Sequence, residues 1–174
     1  MKIVLIIVVA LVALIGILFL IGALLPRSHH ASSRITLHHA PADVWAVVRN
    51  PAALQGTWKE LKSSTRLPDA AGKEVWEQNA GGWPMRIIIE ESTPPSRLVT
   101  RIDAAPDAAF GGTWTYQLDA EGGGTRVTVT EDGYVSNPLF RVMMLAMGVH
   151  RTADGYLRAL GAKLGEAVQP IHLN

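Results

Sequence analysis

The chain contains no cysteine. That excludes disulfide stapling, a thiolate nucleophile and cysteine metal sites, and leaves every redox compartment open. Aromatic residues are scarce, at 6% of the sequence. The formal net charge is only +1, and Lys and Arg form no run, so nothing in the sequence resembles a phosphate-tracking surface for nucleic acid. There is no HExxH, no GxxxxGK[ST], no GxGxxG opening a helix and no GxSxG elbow, so zincin, nucleotide-loop and serine-hydrolase chemistry have no carrier. No N-x-S/T acceptor exists, because Asn50 and Asn137 precede proline and Asn79 precedes Ala-Gly. One further absence is local. From Ile3 to Leu25 no side chain is charged, amide or hydroxyl.

That run is Ile, Val, Leu and Ala with one Phe and two Gly. As a helix it is roughly 34 Å long, enough to cross a hydrocarbon core of ~30 Å with some tilt. It exceeds the ~7–15 residue core of a secretory signal, and its exit, Gly22-Ala-Leu-Leu-Pro26, lacks a small-x-small cleavage site. Pro26 stops the helix. The expected organisation is a transmembrane anchor over 1–26, a polar tether over 27–33, one soluble domain over 34–166 and a tail over 167–174. Lys2 and the α-amine lie on one side of the span, Arg27 and Arg34 on the other. That tally favours the domain facing the cytoplasm, on a bacterial-type inner membrane. Gly16 and Gly22 are not at GxxxG spacing.

Within the domain, Arg34–His38 alternates polar and apolar and reads as a strand. Pro41, Asp43 and the Val44, Val47, Val48 face predict a short helix ended by Asn50-Pro51. Pro51–Trp58 reads as a second short helix or turn. The period then becomes two, over 61–67, 74–79, 83–91, 97–102, 112–119 and 125–135. Separators rich in Pro, Gly and Asp point to antiparallel hairpins. From Pro138 to about Gly165 the apolar residues recur helically, predicting one long helix that tolerates Gly148, Gly155 and Gly161. A curved antiparallel sheet of about seven strands can wrap such a helix and leave a hollow for an apolar ligand.

Several segments carry a resemblance. They are His39-Ala-Pro-Ala-Asp-Val-Trp-Ala-Val-Val, Pro94-Pro-Ser-Arg-Leu-Val-Thr-Arg, Gly111-Gly-Thr-Trp-Thr-Tyr-Gln-Leu, the Gly122–Gly133 stretch and the final helix. With this element order the region from Ser33 to about Glu166 resembles the Bet v 1/START helix-grip superfamily, and within it the bacterial SRPBCC or polyketide cyclase/dehydrase-like proteins. The resemblance implies an α+β helix-grip fold and a cavity for hydrophobic small molecules or lipids. Some members cyclise or aromatise their ligand. The family has no universal catalytic motif, so no catalytic residue is carried over.

The candidate ligand-binding residues are Trp76, Trp83, Trp114 and Tyr116 on strands, and Met143 and Met147, with Met144, on the helix. Trp114, Tyr116 and Leu118 share one strand face, and aromatic rings there can stack on a ligand or simply fill the core. Methionines suit an adaptable surface, or a plain core stripe. Among the strand carboxylates Glu77, Glu90, Glu91, Glu131 and Asp132, Glu131 shares a face with Val127 and Val129 and is the best acid–base candidate. His150, with Asp154 at i+4, is the other, although such pairs are common on helix surfaces. The pairs His29-His30 and His38-His39 point to opposite strand faces, so no metal is expected. Nor is a cofactor. The expected function is a membrane-anchored binding domain for a hydrophobic small molecule or lipid. The alternatives are a cyclase/dehydrase or other acid–base enzyme in the same cavity, and an interaction domain with a filled core.

Overall fold

The computed structural model describes residues 1–105 and 107–173. Helix α1 spans Lys2–Leu24 and ends against Pro26. Its apolar side chains stand exposed, with Gly22 alone buried and Leu18 half-buried. A helix apolar on every side and exposed on most of it is long and apolar enough to cross a membrane.

The chain passes straight from Pro26 into β1 (Ser28–Leu37). The 27–33 segment expected as a tether is therefore largely the first half of a strand. It pairs antiparallel with β7 (Gly124–Val135) from Ser28 opposite Tyr134 to Leu37 opposite Thr125. Its small polar residues are packing choices. Ala31 and Ser33 are fully buried, and the Ser33 hydroxyl shares a hydrogen bond of 3.2 Å with His150 Nδ1. Larger side chains would hold off the helix that lies there.

Helix α2 (Pro41–Val48) starts on its proline, carries Asp43 in its first turn and buries Val44, Trp45 and Val48. Turns follow over 51–57, the turn rather than the helix of the two forms expected there. Then β2 (Leu61–Ala70), β3 (Lys73–Ala80), β4 (Trp83–Thr93), β5 (Arg97–Ile102), β6 (Phe110–Glu121) and β7 form a continuous antiparallel meander. Among the described residues the sheet has eight strands, in the order β2-β3-β4-β5-β6-β7-β1-β8. The last, β8 (Ile171–His172), adds to the edge of β1, so part of the expected tail is a strand.

The helix expected over 138–165 is two helices, α3 (Pro138–Met147) and α4 (Arg151–Lys163). The break is at Gly148, whose φ of 86° and ψ of 138° suit glycine and strain any other residue. Asn137 Oδ1 caps α3, accepting from the amides of Leu139 and Phe140. Helix α4 is gripped by the sheet and buries Ala153, Tyr156, Leu157 and Leu160, an i, i+3, i+4, i+7 stripe. These meet Ile35, Leu37, Leu98, Val127 and Val129 in the core. Helix α3 packs instead on α1.

Candidate functional site

The grip is hollow. A cavity of about 580 Å³ lies between the sheet, α3, the start of α4 and the β3–β4 tip. That size is typical of small-molecule sites.

Its floor is aromatic. Trp114 and Tyr116 project from β6 on the face that period two assigns them, with ring centroids 6.0 Å apart. Trp58, from the turns after α2, and Tyr156, from α4, meet edge to face at 5.6 Å. Tyr156 is 5.2 Å from Tyr116 and 6.0 Å from Trp114, so four rings form one contiguous cluster. Burial raises the Tyr116 phenol well above its ordinary value; a hydrogen bond with Thr100 opposes the shift and the Glu131 charge adds to it. Burial, and then Tyr116, raise Tyr156 as well. Both phenols therefore stay protonated and can donate to a ligand oxygen.

The polar corner is a pair of side chains from adjacent strands. His29 Nε2 lies 3.2 Å from Glu131 Oε1, with both side chains largely buried at 10% and 19% exposure. His29 on β1 sits opposite Gly133 on β7, two residues from Glu131 on the same face. A Cβ at position 133 would lie 2.5 Å from the imidazole Cε1, so glycine is what lets the ring lie flat over the strand. His29 Nδ1 is buried and has no hydrogen-bond partner among the described residues, and Trp58 Nε1 is in the same state. A carboxylate that accepts from an imidazole beside an apolar hollow can bind a ligand hydroxyl or move a proton.

The roof is α3 with the β3–β4 tip. Met143, Met144 and Met147 line the cavity with Phe140. Trp83, at the start of β4, meets Phe140 at 6.0 Å, edge to face.

Of the residues expected at the site, Trp83, Trp114, Tyr116, Met143, Met147 and Glu131 are brought together around this cavity. Trp76 and His150 are not among its lining. Trp76, on β3 beside Ile87 of β4, packs half-buried against the core and donates from Nε1 to Glu74. His150 precedes α4, bonded to Ser33 and stacked on His172 with centroids 3.8 Å apart. The Asp154 carboxylate binds His172 Nε2 at 3.0 Å and reaches Arg158. Of the other strand carboxylates, Glu90 pairs with Lys73 and Arg101, Glu91 with Arg97 and Asp132 with His30, while Glu77 is not among the residues lining the cavity. The second expected histidine pair is not on a strand, since β1 ends at Leu37. His38 and His39 both reach the Glu166 carboxylate, at 2.9 and 3.4 Å, and His39 also bonds the Leu164 carbonyl. Among the described residues no three His, Asp or Glu side chains gather as a metal site.

Sequence reasoning missed His29, Trp58 and Tyr156. Tyr156 stands in the helical stripe with Ala153 and Leu160, which was the available signal. His29 had none, since its role depends on Gly133 a hundred residues away.

A hollow antiparallel sheet gripping a helix, with an aromatic floor and one buried polar pair, defines a ligand-binding helix-grip domain. The family model described as polyketide cyclase / dehydrase and lipid transport matches residues 28–165, and the chain belongs to that family. The match starts at β1, in agreement with the strand found there. Solved structures agree on the fold. A hypothetical protein of Helicobacter pylori superposes with a TM-score of 0.65 at 12% identity, over 77% of this chain and 86% of that one. The di-domain ARO/CYC protein StfQ of the steffimycin biosynthetic pathway gives 0.63 at 10% identity, over 78% of this chain and 50% of its own. A conserved protein of Geobacillus kaustophilus gives 0.61 at 15% identity, over 83% of this chain and all of its own. No curated protein sequence matches the chain significantly.

Proposed function

We propose that this protein is a single-pass, membrane-anchored binding module that takes up a hydrophobic small molecule or lipid in the sheet–helix cavity. The observation that carries this reading is the cavity's construction: an aromatic and methionine-lined hollow of about 580 Å³ roofed by α3, which is itself packed on α1. A wholly filled core would have favoured an interaction domain without a ligand. Helix α1 is the membrane span and residues 28–166 are the binding domain, on the cytoplasmic side of a bacterial inner membrane. The test is native mass spectrometry and lipid extraction of the full chain purified in mild detergent. A stoichiometric apolar ligand is expected; recovery of none under gentle conditions refutes the binding reading.

A second reading is kept by one observation, the His29–Glu131 pair on the cavity wall. It is the one place among the described residues where an imidazole and a carboxylate meet against the apolar hollow, and it would serve a cyclase/dehydrase or other acid–base enzyme. Turnover of a bound carbonyl ligand that vanishes in His29→Ala, with binding retained, would favour the enzyme.

A further inference from the structure

We infer that α3 is a second membrane-contacting element, seated in the lipid beside α1, and that the cavity opens to the bilayer between α3 and the β3–β4 tip. This deepens the proposed function and rests on its reading of α1 as a membrane span.

Helix α3 has the sequence Pro-Leu-Phe-Arg-Val-Met-Met-Leu-Ala-Met. It has no polar face. A helix apolar all round belongs in a core or in a membrane. Helix α3 is not in the core: Leu139, Met143, Leu145 and Met147 are exposed, Leu145 at 63%. Trp83, 54% exposed, stands across from it and touches Phe140. Large apolar side chains thus cluster on one end of the domain. Water is the wrong solvent for them.

The depth of α3 follows from its contacts with α1. Gly22 is buried because Pro138 lies on it, so close that a Cβ there would be 2.0 Å from the Pro138 oxygen. Leu18, one turn earlier on the same face, is half-buried. If the apolar run from Ile3 to Leu25 is centred on the bilayer, Gly22 lies about 12 Å from the midplane, inside a hydrocarbon half-thickness of about 15 Å. A helix that touches α1 at this level cannot stand clear of the lipid.

The single charge on α3 is disposed for such a site. Arg141 is buried, and its guanidinium donates to the carbonyls of Leu25 at 2.8 Å and Ser136 at 3.0 Å. A cation at the carbonyl end of α1 also meets the negative end of that helix dipole. It locks α3 to the anchor without presenting charge to lipid. Trp83 is the residue type found at a membrane–water boundary. The cavity wall on this side consists of Phe140 and methionines, which can part and repack. An apolar ligand dissolved in the membrane therefore has an entry that never crosses water.

The absence of cysteine makes the test direct. Nitroxide labels at Leu139→Cys, Leu145→Cys and, at the opposite end of the β6–β7 hairpin, Ala120→Cys are read by power saturation in the full chain reconstituted into phosphatidylcholine vesicles. Labels at 139 and 145 are expected to relax with dissolved oxygen and to be shielded from a water-soluble nickel chelate, while the label at 120 shows the reverse. Equal nickel accessibility at all three sites overturns the inference. Entry is read separately with an NBD-labelled fatty acid. Leu139→Glu/Leu145→Glu, whose positions do not line the cavity, is expected to slow uptake from vesicles about tenfold or more, because a carboxylate is strongly disfavoured in lipid. Affinity for the same probe delivered as monomer in water should hold. Unchanged vesicle uptake overturns the lipid entry. If the probe binds by neither route while labels 139 and 145 lie in lipid, the binding reading and the entry fall together and the seat of α3 stands.

Discussion

Replacing Gly22 by alanine isolates the junction between α1 and the domain. On propensity alone the change is favourable, by up to about 1 kcal/mol in a helix interior. The structure reverses the sign. A Cβ at position 22 would lie 2.0 Å from the Pro138 oxygen, 2.5 Å from its carbonyl carbon and 3.0 Å from its Cα. These are backbone atoms at the capped start of α3, so no side-chain rotation relieves them. Restoring ordinary contact requires α3 to retreat by about 1.5–2 Å, since non-bonded heavy atoms pack at roughly 3.5–4 Å. That displacement stretches the 2.8 Å bond from Arg141 to the Leu25 carbonyl beyond hydrogen-bonding range. Loss of a hydrogen bond to a buried charged group costs about 1.5–3 kcal/mol. After the propensity gain, a net loss of about 0.5–2 kcal/mol is expected, or roughly 1–8 °C in thermal midpoint for a chain of this size. The control is Gly16→Ala, where a Cβ would meet nothing within 4 Å. Thermal unfolding of the detergent-solubilised full chain, followed by near-ultraviolet circular dichroism, compares the two. If Gly22→Ala is as harmless as Gly16→Ala, the close packing of α3 on α1 is refuted.

Gly148→Ala forces a side chain into the backbone geometry that separates α3 from α4; a destabilisation of about 1–3 kcal/mol is expected in urea titrations, and none would mean the break is not fixed. Glu131→Gln keeps an acceptor for His29 and removes the charge; affinity for an apolar probe should change less than about fivefold, and a larger loss would make Glu131 a direct ligand contact. The Arg49 guanidinium, with the Trp76 indole, holds the Glu74 carboxyl below its ordinary 4.5. Glu74 therefore favours the folded state at pH above about 4.5 and loses that contribution as pH falls through its lowered folded value. Wild type should exceed Glu74→Gln in urea midpoint at pH 7, with the gap closing toward pH 2; a gap independent of pH would refute the coupling.

The fold was largely legible because its two strongest periodicities are local. Alternation along β6 and β7 places Trp114, Tyr116 and Glu131 on the inner face without reference to the rest of the chain. The uniform apolarity of α1 needs no partner to be recognised. What was hidden depends on contacts far apart in sequence. The 27–33 segment reads as a tether because small polar residues suit solvent, whereas Ser33 is small to admit α4 and His29 is polar to meet Glu131. The 138–165 stretch keeps a helical period across Gly148, since each half is helical; the turn is made at Gly148, and the contacts of Pro138 and Arg141 hold the first half on α1. Trp76 was placed on the correct strand, yet its indole nitrogen is committed to Glu74.

Because β1 begins at Ser28, two residues after the proline that closes α1, the domain has almost no slack. The Arg27 carbonyl already accepts from the Val135 amide at 2.8 Å, so even the connecting residue is held by the sheet. With α1 in a membrane, as proposed, a domain joined to it this stiffly cannot swing across an aqueous gap to a second membrane, as a carrier on a long leash can. On the membrane reading it works as a stationary dock: cargo arrives by diffusion in the plane, and any onward transfer requires an acceptor that comes to it.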